Sequence, residues 1–187
     1  MFNKAVFLDR DGTINVDTGY LNDPDLVKLL PGVAEGIFKL KNEYGFKIIV
    51  VSNQSGISRG LITKEEVEKV NKRINQILKE NSTQIDDFFF CPYHPDYDTP
   101  EKCICRKPSP YMIQHASKKH NINISKSFLI GDKQTDLLCA KNAGLKSILL
   151  FTNFNDEKIN QLKMTENSPN FVANNFLDAV KYIKNNL

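Results

Sequence analysis

One arrangement constrains this chain more than any other: short, strongly apolar runs that each stop abruptly at a polar loop. Lys4-Ala5-Val6-Phe7-Leu8 stops at Asp9, and Phe46-Lys47-Ile48-Ile49-Val50-Val51 stops at Ser52. Ser127-Phe128-Leu129-Ile130 stops at Gly131-Asp132, Lys146-Ser147-Ile148-Leu149-Leu150-Phe151 has the same character, and a fifth run over 85–90 leads into Cys91. Runs this short, rich in branched and aromatic side chains, are the pattern of strands buried on both faces of a parallel sheet. Helical patterns lie between them. Residues 31–43 place Val33, Ile37 and Leu40 on one face, with Pro31 suited to the first turn. Thr63-Lys64-Glu65-Glu66 has the form of a capping box and opens a helix towards Glu80. Further helices are expected over 110–120, 135–143 (with Gly144 as its stop) and 175–185. The alternation predicts an α/β fold with a mostly parallel sheet, and 187 residues suit a single domain over 1–187 with a full core.

Open parallel sheets bind ligands at the carboxyl ends of their strands, so the loops that follow the apolar runs are where chemistry is expected. Asp9-Arg10-Asp11-Gly12-Thr13 follows the first run. Two carboxylates two positions apart beside a turn-forming glycine suit a hard divalent cation, and a carboxylate is also a nucleophile towards phosphorus. On its own such a motif is equally well an acidic turn. Ser52-Asn53-Gln54-Ser55-Gly56 offers a hydroxyl and backbone N–H groups to a phosphate oxygen. Arg106-Lys107 supplies cations able to offset charge on a transferring phosphoryl group. Gly131-Asp132-Lys133-Gln134-Thr135-Asp136 adds further carboxylates. Read singly, these are a polar turn, a surface basic pair and an acidic helix start. Taken in order at one sheet edge, they supply nucleophile, acid, phosphate cradle, cation and metal ligand, the parts of a phosphoryl-transfer site.

The region 91–110 breaks the strand–helix alternation and is too long for an ordinary connection. Cys91, Cys103 and Cys105, together with His94, make a Cys₃His set of the kind that holds structural zinc. The alternative is a group of buried thiols in a proline-rich loop. Cys139 falls in a helical pattern and reads as core.

On these motifs the sequence resembles the haloacid dehalogenase superfamily of phosphohydrolases. More narrowly, Ser52-Asn53-Gln54-Ser55-Gly56-Ile57, Cys103-Ile104-Cys105-Arg106-Lys107-Pro108, Asp17-Thr18-Gly19-Tyr20 and Gly131-Asp132-Lys133 are similar to the D,D-heptose 1,7-bisphosphate phosphatases, with the histidinol-phosphate phosphatases as relatives. The resemblance implies a Rossmann-like three-layer sandwich with a minimal loop cap and a zinc-binding loop over about 91–107. It implies Asp9 as nucleophile and Asp11 as general acid and base. Magnesium would sit on Asp9, the backbone carbonyl of Asp11, and Asp132, with Asp136 in support. Ser52 and Lys107 would hold the phosphoryl group. Asp17, Thr18, Gly19, Tyr20, Asn53, Gln54, Ser55, Arg106 and Lys133 would bind the substrate, Arg106 taking a remote phosphate or hydroxyls. The zinc ligands would be Cys91, His94, Cys103 and Cys105, although the family pattern usually places its histidine where this chain has Tyr93.

The implied activity is magnesium-dependent removal of the 7-phosphate from D-glycero-D-manno-heptose 1,7-bisphosphate, in precursor synthesis for surface polysaccharide. Histidinol phosphate or another small metabolite is the alternative substrate, and a non-catalytic metal-binding module is the alternative class. A formal net charge of +3 does not point to nucleic acid. No apolar run approaches the roughly 20 residues a membrane-spanning helix needs. The Met1-Phe2-Asn3-Lys4 start has neither the basic region nor the apolar core of a secretory signal, so a cytoplasmic, monomeric protein with a small phosphorylated sugar as partner is expected.

Overall fold

A computed structural model describes residues 2–150 and 168–187. Its centre is one sheet of six strands: β1 (Ala5–Leu8), β2 (Lys47–Asn53), β3 (Asp87–Cys91), β4 (Phe128–Gly131), β5 (Lys146–Leu150) and β6 (Phe171–Ala173). All neighbours pair in parallel, in the order β3-β2-β1-β4-β5-β6. The five expected strands form within a residue or two of their apolar runs, apart from Phe151, which lies outside the described residues. β6 has three residues, too few for a periodic signal.

Helices cover both faces. They are α1 (Val33–Phe38), which continues as a π-helical turn over Lys39–Glu43, α2 (Lys64–Glu80), α3 (Pro100–Cys103), α4 (Tyr111–His120), α5 (Gln134–Ala143) and α6 (Phe176–Asn185). The capping box opens α2 as expected: the Thr63 side chain accepts from the Glu66 N–H, and the Glu66 side chain accepts from the Thr63 N–H. Gly144 ends α5 in the left-handed conformation.

Side chains on a strand alternate between faces. In β1, Val6 and Leu8 join the core that holds Val33, Ile37, Val70, Ile74 and Val180, while Ala5 and Phe7 join the opposite core with Met112, Ile113, Cys139 and Ala140. The continuous apolar runs are thus explained by burial on both sides. Cys139 lies in the second core, as its pattern suggested, and burial pushes its thiol up to about 12. Among the described residues, no helix is long and apolar enough to cross a membrane.

The sheet positions the site. β1 pairs with β2 on one side and β4 on the other, so the chain's direction of winding reverses there. A crevice opens at such a switch point. Asp9 and Asp132 follow the two strands that border it, and Ser52 lies near the end of the third.

Candidate active site

Above the carboxyl ends of β1 and β2 lies a cavity of about 420 Å³ lined by Asp9, Asp11, Asp17, Gly19, Tyr20, Ser52, Asn53, Gln54, Ser55, Arg106, Lys107, Lys133 and Thr135. The four loops singled out in the sequence therefore converge. Thr18, Asp132 and Asp136 are not on the cavity wall, the two aspartates being fully buried, and Thr135 is an addition.

Asp9 is fixed by its own loop. Its Oδ1 accepts from the Arg10 N–H at 2.7 Å, and its backbone N–H donates to the Ile130 carbonyl of β4 at 3.0 Å. Lys107 is 2% exposed and places its Nζ 2.9 Å from Asp9 Oδ1 and 2.6 Å from Asp136 Oδ1. Burial alone would push this lysine down. The charges of Asp136 and Asp9 override it and hold the ammonium well above the ordinary lysine range. Asn53 clamps the Lys107 backbone from both sides, accepting from its N–H at 2.9 Å and donating to its carbonyl at 3.1 Å.

Asp11 is held differently. Burial pushes its carboxyl up, but the Arg10 charge and hydrogen bonds from Arg10, Asn15 and Gln54 together bring it below the usual carboxylate range. Arg10 Nη2 donates to Asp11 Oδ2 at 2.9 Å and to Gln54 Oε1 at 3.1 Å, and Asn15 Nδ2 donates to Asp11 Oδ1 at 2.9 Å. Gln54 Nε2 lies 2.9 Å from Asp11 Oδ2 and 2.7 Å from Ser52 Oγ, so one amide ties the second carboxylate to the serine. Arg10, the largest fully buried side chain, was not singled out from the sequence, nor was Asn15. The one available signal was a charged residue directly between two aspartates.

Asp9, Asp132 and Asp136 bring carboxylate oxygens within 4.8 Å of one another. Asp136 has both oxygens engaged, Oδ1 by Lys107 and Oδ2 by the Lys133 N–H at 3.0 Å, whereas Asp9 takes Lys107 and the Arg10 N–H on the same oxygen, Oδ1, so Asp9 and Asp132 are the better placed carboxylates for a cation. Burial, then the Asp9 charge, pushes Asp132 up to about 7. Gly12 has φ +83°, a left-handed conformation, and a Cβ there would collide with the Asp132 carboxylate. The loop is thus shaped to let carboxylate and backbone approach closely. Two hard oxygen donors under mutual repulsion, beside a backbone turn, fit magnesium.

A measurable consequence follows from Asp132. A carboxyl with a raised folded pKa binds its proton more tightly when folded, so it costs stability progressively as pH climbs from its unfolded value of 3.8 to about 7. A divalent cation replaces that proton. Magnesium is therefore expected to raise the melting temperature more at about pH 8 than at about pH 5. Melting curves with and without the ion check this, and equal shifts at both pH values would contradict it.

Lys133 and Asp17 pair across the cavity mouth at 3.1 Å, and Asp17 also accepts from the Gly19 N–H at 2.9 Å. Burial pushes Lys133 down, but Asp132, Asp9 and Asp17 hold it above its ordinary value.

The expected zinc set is not assembled. Cys91 and Cys105 are joined in a disulfide, Cys103 is free, and His94 contacts Arg59 at 3.1 Å and Asp96 at 3.4 Å. Zinc needs thiolates, and a sulfur in a disulfide is not one. The loop is closed by a covalent bond, and the zinc expectation is corrected accordingly.

A family model described as HAD-hydrolase-like matches residues 104–179. The D-glycero-D-manno-heptose-1,7-bisphosphate 7-phosphatase of Chlorobaculum tepidum is 39% identical over 186 residues, covering 95% of this chain and 92% of the relative. The D-glycero-beta-D-manno-heptose-1,7-bisphosphate 7-phosphatase of Helicobacter pylori (strain J99) is 40% identical over 151 residues, covering 80% and 84%. Among solved structures, the D,D-heptose 1,7-bisphosphate phosphatase of B. bronchiseptica, complexed with magnesium and phosphate, superposes with a TM-score of 0.84 at 25% identity, covering 98% of this chain and 99% of the other. The sheet, the strand-end carboxylates and the family model place the chain in the broad class of haloacid dehalogenase-like hydrolases. Within that class, it belongs to the heptose-1,7-bisphosphate 7-phosphatase family.

Proposed function

We propose that this protein is a magnesium-dependent phosphoric monoester hydrolase that removes the 7-phosphate of D-glycero-D-manno-heptose 1,7-bisphosphate. The observation that carries the reading is the Asp9–Lys107–Asp136 arrangement beside Asp132: a nucleophilic carboxylate, a buried cation and a metal ligand at one strand edge. The relatives named above support the substrate.

In the first half-reaction an Asp9 carboxylate oxygen attacks phosphorus, the bond from phosphorus to the sugar O7 breaks, and Asp11 gives its proton to that oxygen. In the second, Asp11 takes a proton from water, whose oxygen attacks phosphorus and releases Asp9 and inorganic phosphate. Two smaller barriers replace one large one. In the free enzyme Arg10 keeps Asp11 ionised. The charge of an incoming phosphate opposes Arg10 and raises Asp11, which takes up a proton from solvent as the substrate binds and so enters the first half as the acid. Lys107 and the Ser52 hydroxyl face the phosphoryl oxygens. Asp9, the Asp11 carbonyl and Asp132 would hold magnesium, which would offset charge on the phosphoryl group. Arg106, on the cavity wall, takes the remaining phosphate through its forked donors. Asp17, Gly19, Tyr20, Asn53, Gln54, Ser55 and Lys133 surround the sugar, the Asp17–Tyr20 turn being held by the Gly19 N–H on Asp17.

The chain acts as a single cytoplasmic domain and as a monomer in this reading. No zinc enters it, because the disulfide occupies two of the four ligands. Phosphate release with magnesium, measured on both anomers of heptose 1,7-bisphosphate, fructose 1,6-bisphosphate and histidinol phosphate, tests the substrate. A strong preference for a heptose anomer is expected. Equal weak rates on all four would contradict it, and a preference for histidinol phosphate would favour the relatives of that specificity.

A further inference from the structure

The turn after β2, which lines the cavity, meets the loop after β3. Gln54 N–H donates to the Cys91 carbonyl at 2.8 Å, and Ser58 N–H donates to the Pro92 carbonyl at 3.3 Å. Arg59 lies in this seam. Its Cζ stands 5.2 Å from the centre of the Tyr97 ring, and its Nη2 lies 3.1 Å from His94 Nε2. Its Nε is buried with no hydrogen-bond partner. Arg106 is held from the same loop, its Nη1 donating to the Tyr93 carbonyl at 3.2 Å while the side chain lines the cavity. Burial pushes Arg106 down; the nearby Cys103 thiol opposes this, the Arg59 charge adds to it, and the Tyr20 hydroxyl opposes it again. Among the described residues, no carboxylate pairs with either guanidinium.

Among the described residues neither cation has a carboxylate partner, and Arg59 carries an unsatisfied buried donor. Such a donor is costly, and like charges held close repel. An anion bound at Arg106 relieves the repulsion. We propose that Arg59 is a positioning residue for Arg106: it braces the loop that carries Arg106 and, as a like charge behind it, strengthens that side chain's hold on the second phosphate of a bisphosphate substrate. The inference rests on the proposed function, in that it takes a sugar bisphosphate as substrate. The recognised chemistry is a phosphate dianion remote from the reacting one.

The test compares heptose 1,7-bisphosphate with heptose 7-phosphate on the wild type, Arg59→Gln and Arg59→Lys. For Arg59→Gln, KM for the bisphosphate is expected to rise about tenfold, with kcat for both substrates and KM for the monophosphate changed less than about twofold. Arg59→Lys keeps the charge and is expected to recover most of the loss. Equal damage on both substrates, without recovery in Arg59→Lys, would reduce Arg59 to a structural brace and overturn the proposal, as would an unchanged KM for the bisphosphate. Should the wild type hydrolyse another sugar bisphosphate and neither heptose compound, the heptose reading fails. The same comparison on that bisphosphate and its monophosphate still decides the role of Arg59.

Discussion

Asp9→Asn is expected to lower turnover by at least about 10³-fold while leaving the protein folded. An amide neither attacks phosphorus nor binds magnesium well. The fold should tolerate the change for an electrostatic reason. Asp9 attracts Lys107 at 2.9 Å, but it also repels Asp132, and its charge is a cause of the upward push on that carboxyl. Neutralising it removes one attraction and one repulsion together, and Lys107 keeps Asp136 at 2.6 Å. Steady-state rates together with a melting curve check both halves. A folded Asp9→Asn protein with wild-type turnover would remove Asp9 as nucleophile.

Lys107→Met is expected to damage stability and activity together. It takes away the buried cation that pairs with Asp9 and Asp136 and leaves those two carboxylates clustered with Asp132. Breaking a buried ion pair from one side costs about 3–5 kcal/mol. In a chain of this size that lowers the melting temperature by roughly 6–20 °C. Loss of phosphoryl charge compensation should cost more than about 10²-fold in kcat. The sign with pH is fixed. Without the lysine the carboxyls of the folded state bind protons more tightly than those of the unfolded chain, so the deficit is largest above about pH 7 and shrinks as pH falls towards about 4. Melting curves of both proteins across that range check it. A gap that stays constant with pH would show that lost packing, not charge, is responsible.

The parts of the site that could be read from the sequence are those whose chemistry is local. A strand buried on both faces announces itself by a continuous apolar run, and the loop at its end follows directly, so Asp9, Asp11, Ser52 and Asp132 were placed by counting along the chain. Lys107 could be named, but not its pairing with Asp136, 29 residues away. Arg10 was missed because its role arises from Gln54 and Asn71, 44 and 61 residues distant, and a buried arginine has no periodic signature. Arg59 was missed likewise: its partners His94 and Tyr97 lie across another loop. The cysteine loop shows the opposite failure. Four ligands of two types at suitable spacing suggest zinc, yet spacing does not decide whether two sulfurs bond to a metal or to each other, and Cys91 at the end of β3 meets Cys105 directly.

The central claim is that one phosphate of a sugar bisphosphate is removed at Asp9 while Arg106 keeps the other. Phosphorus NMR of heptose 1,7-bisphosphate with enzyme and magnesium follows both groups in a single experiment. The 7-phosphate signal is predicted to convert to inorganic phosphate while the 1-phosphate signal persists as heptose 1-phosphate. Loss of the 1-phosphate first, or loss of both at equal rates, would contradict the account.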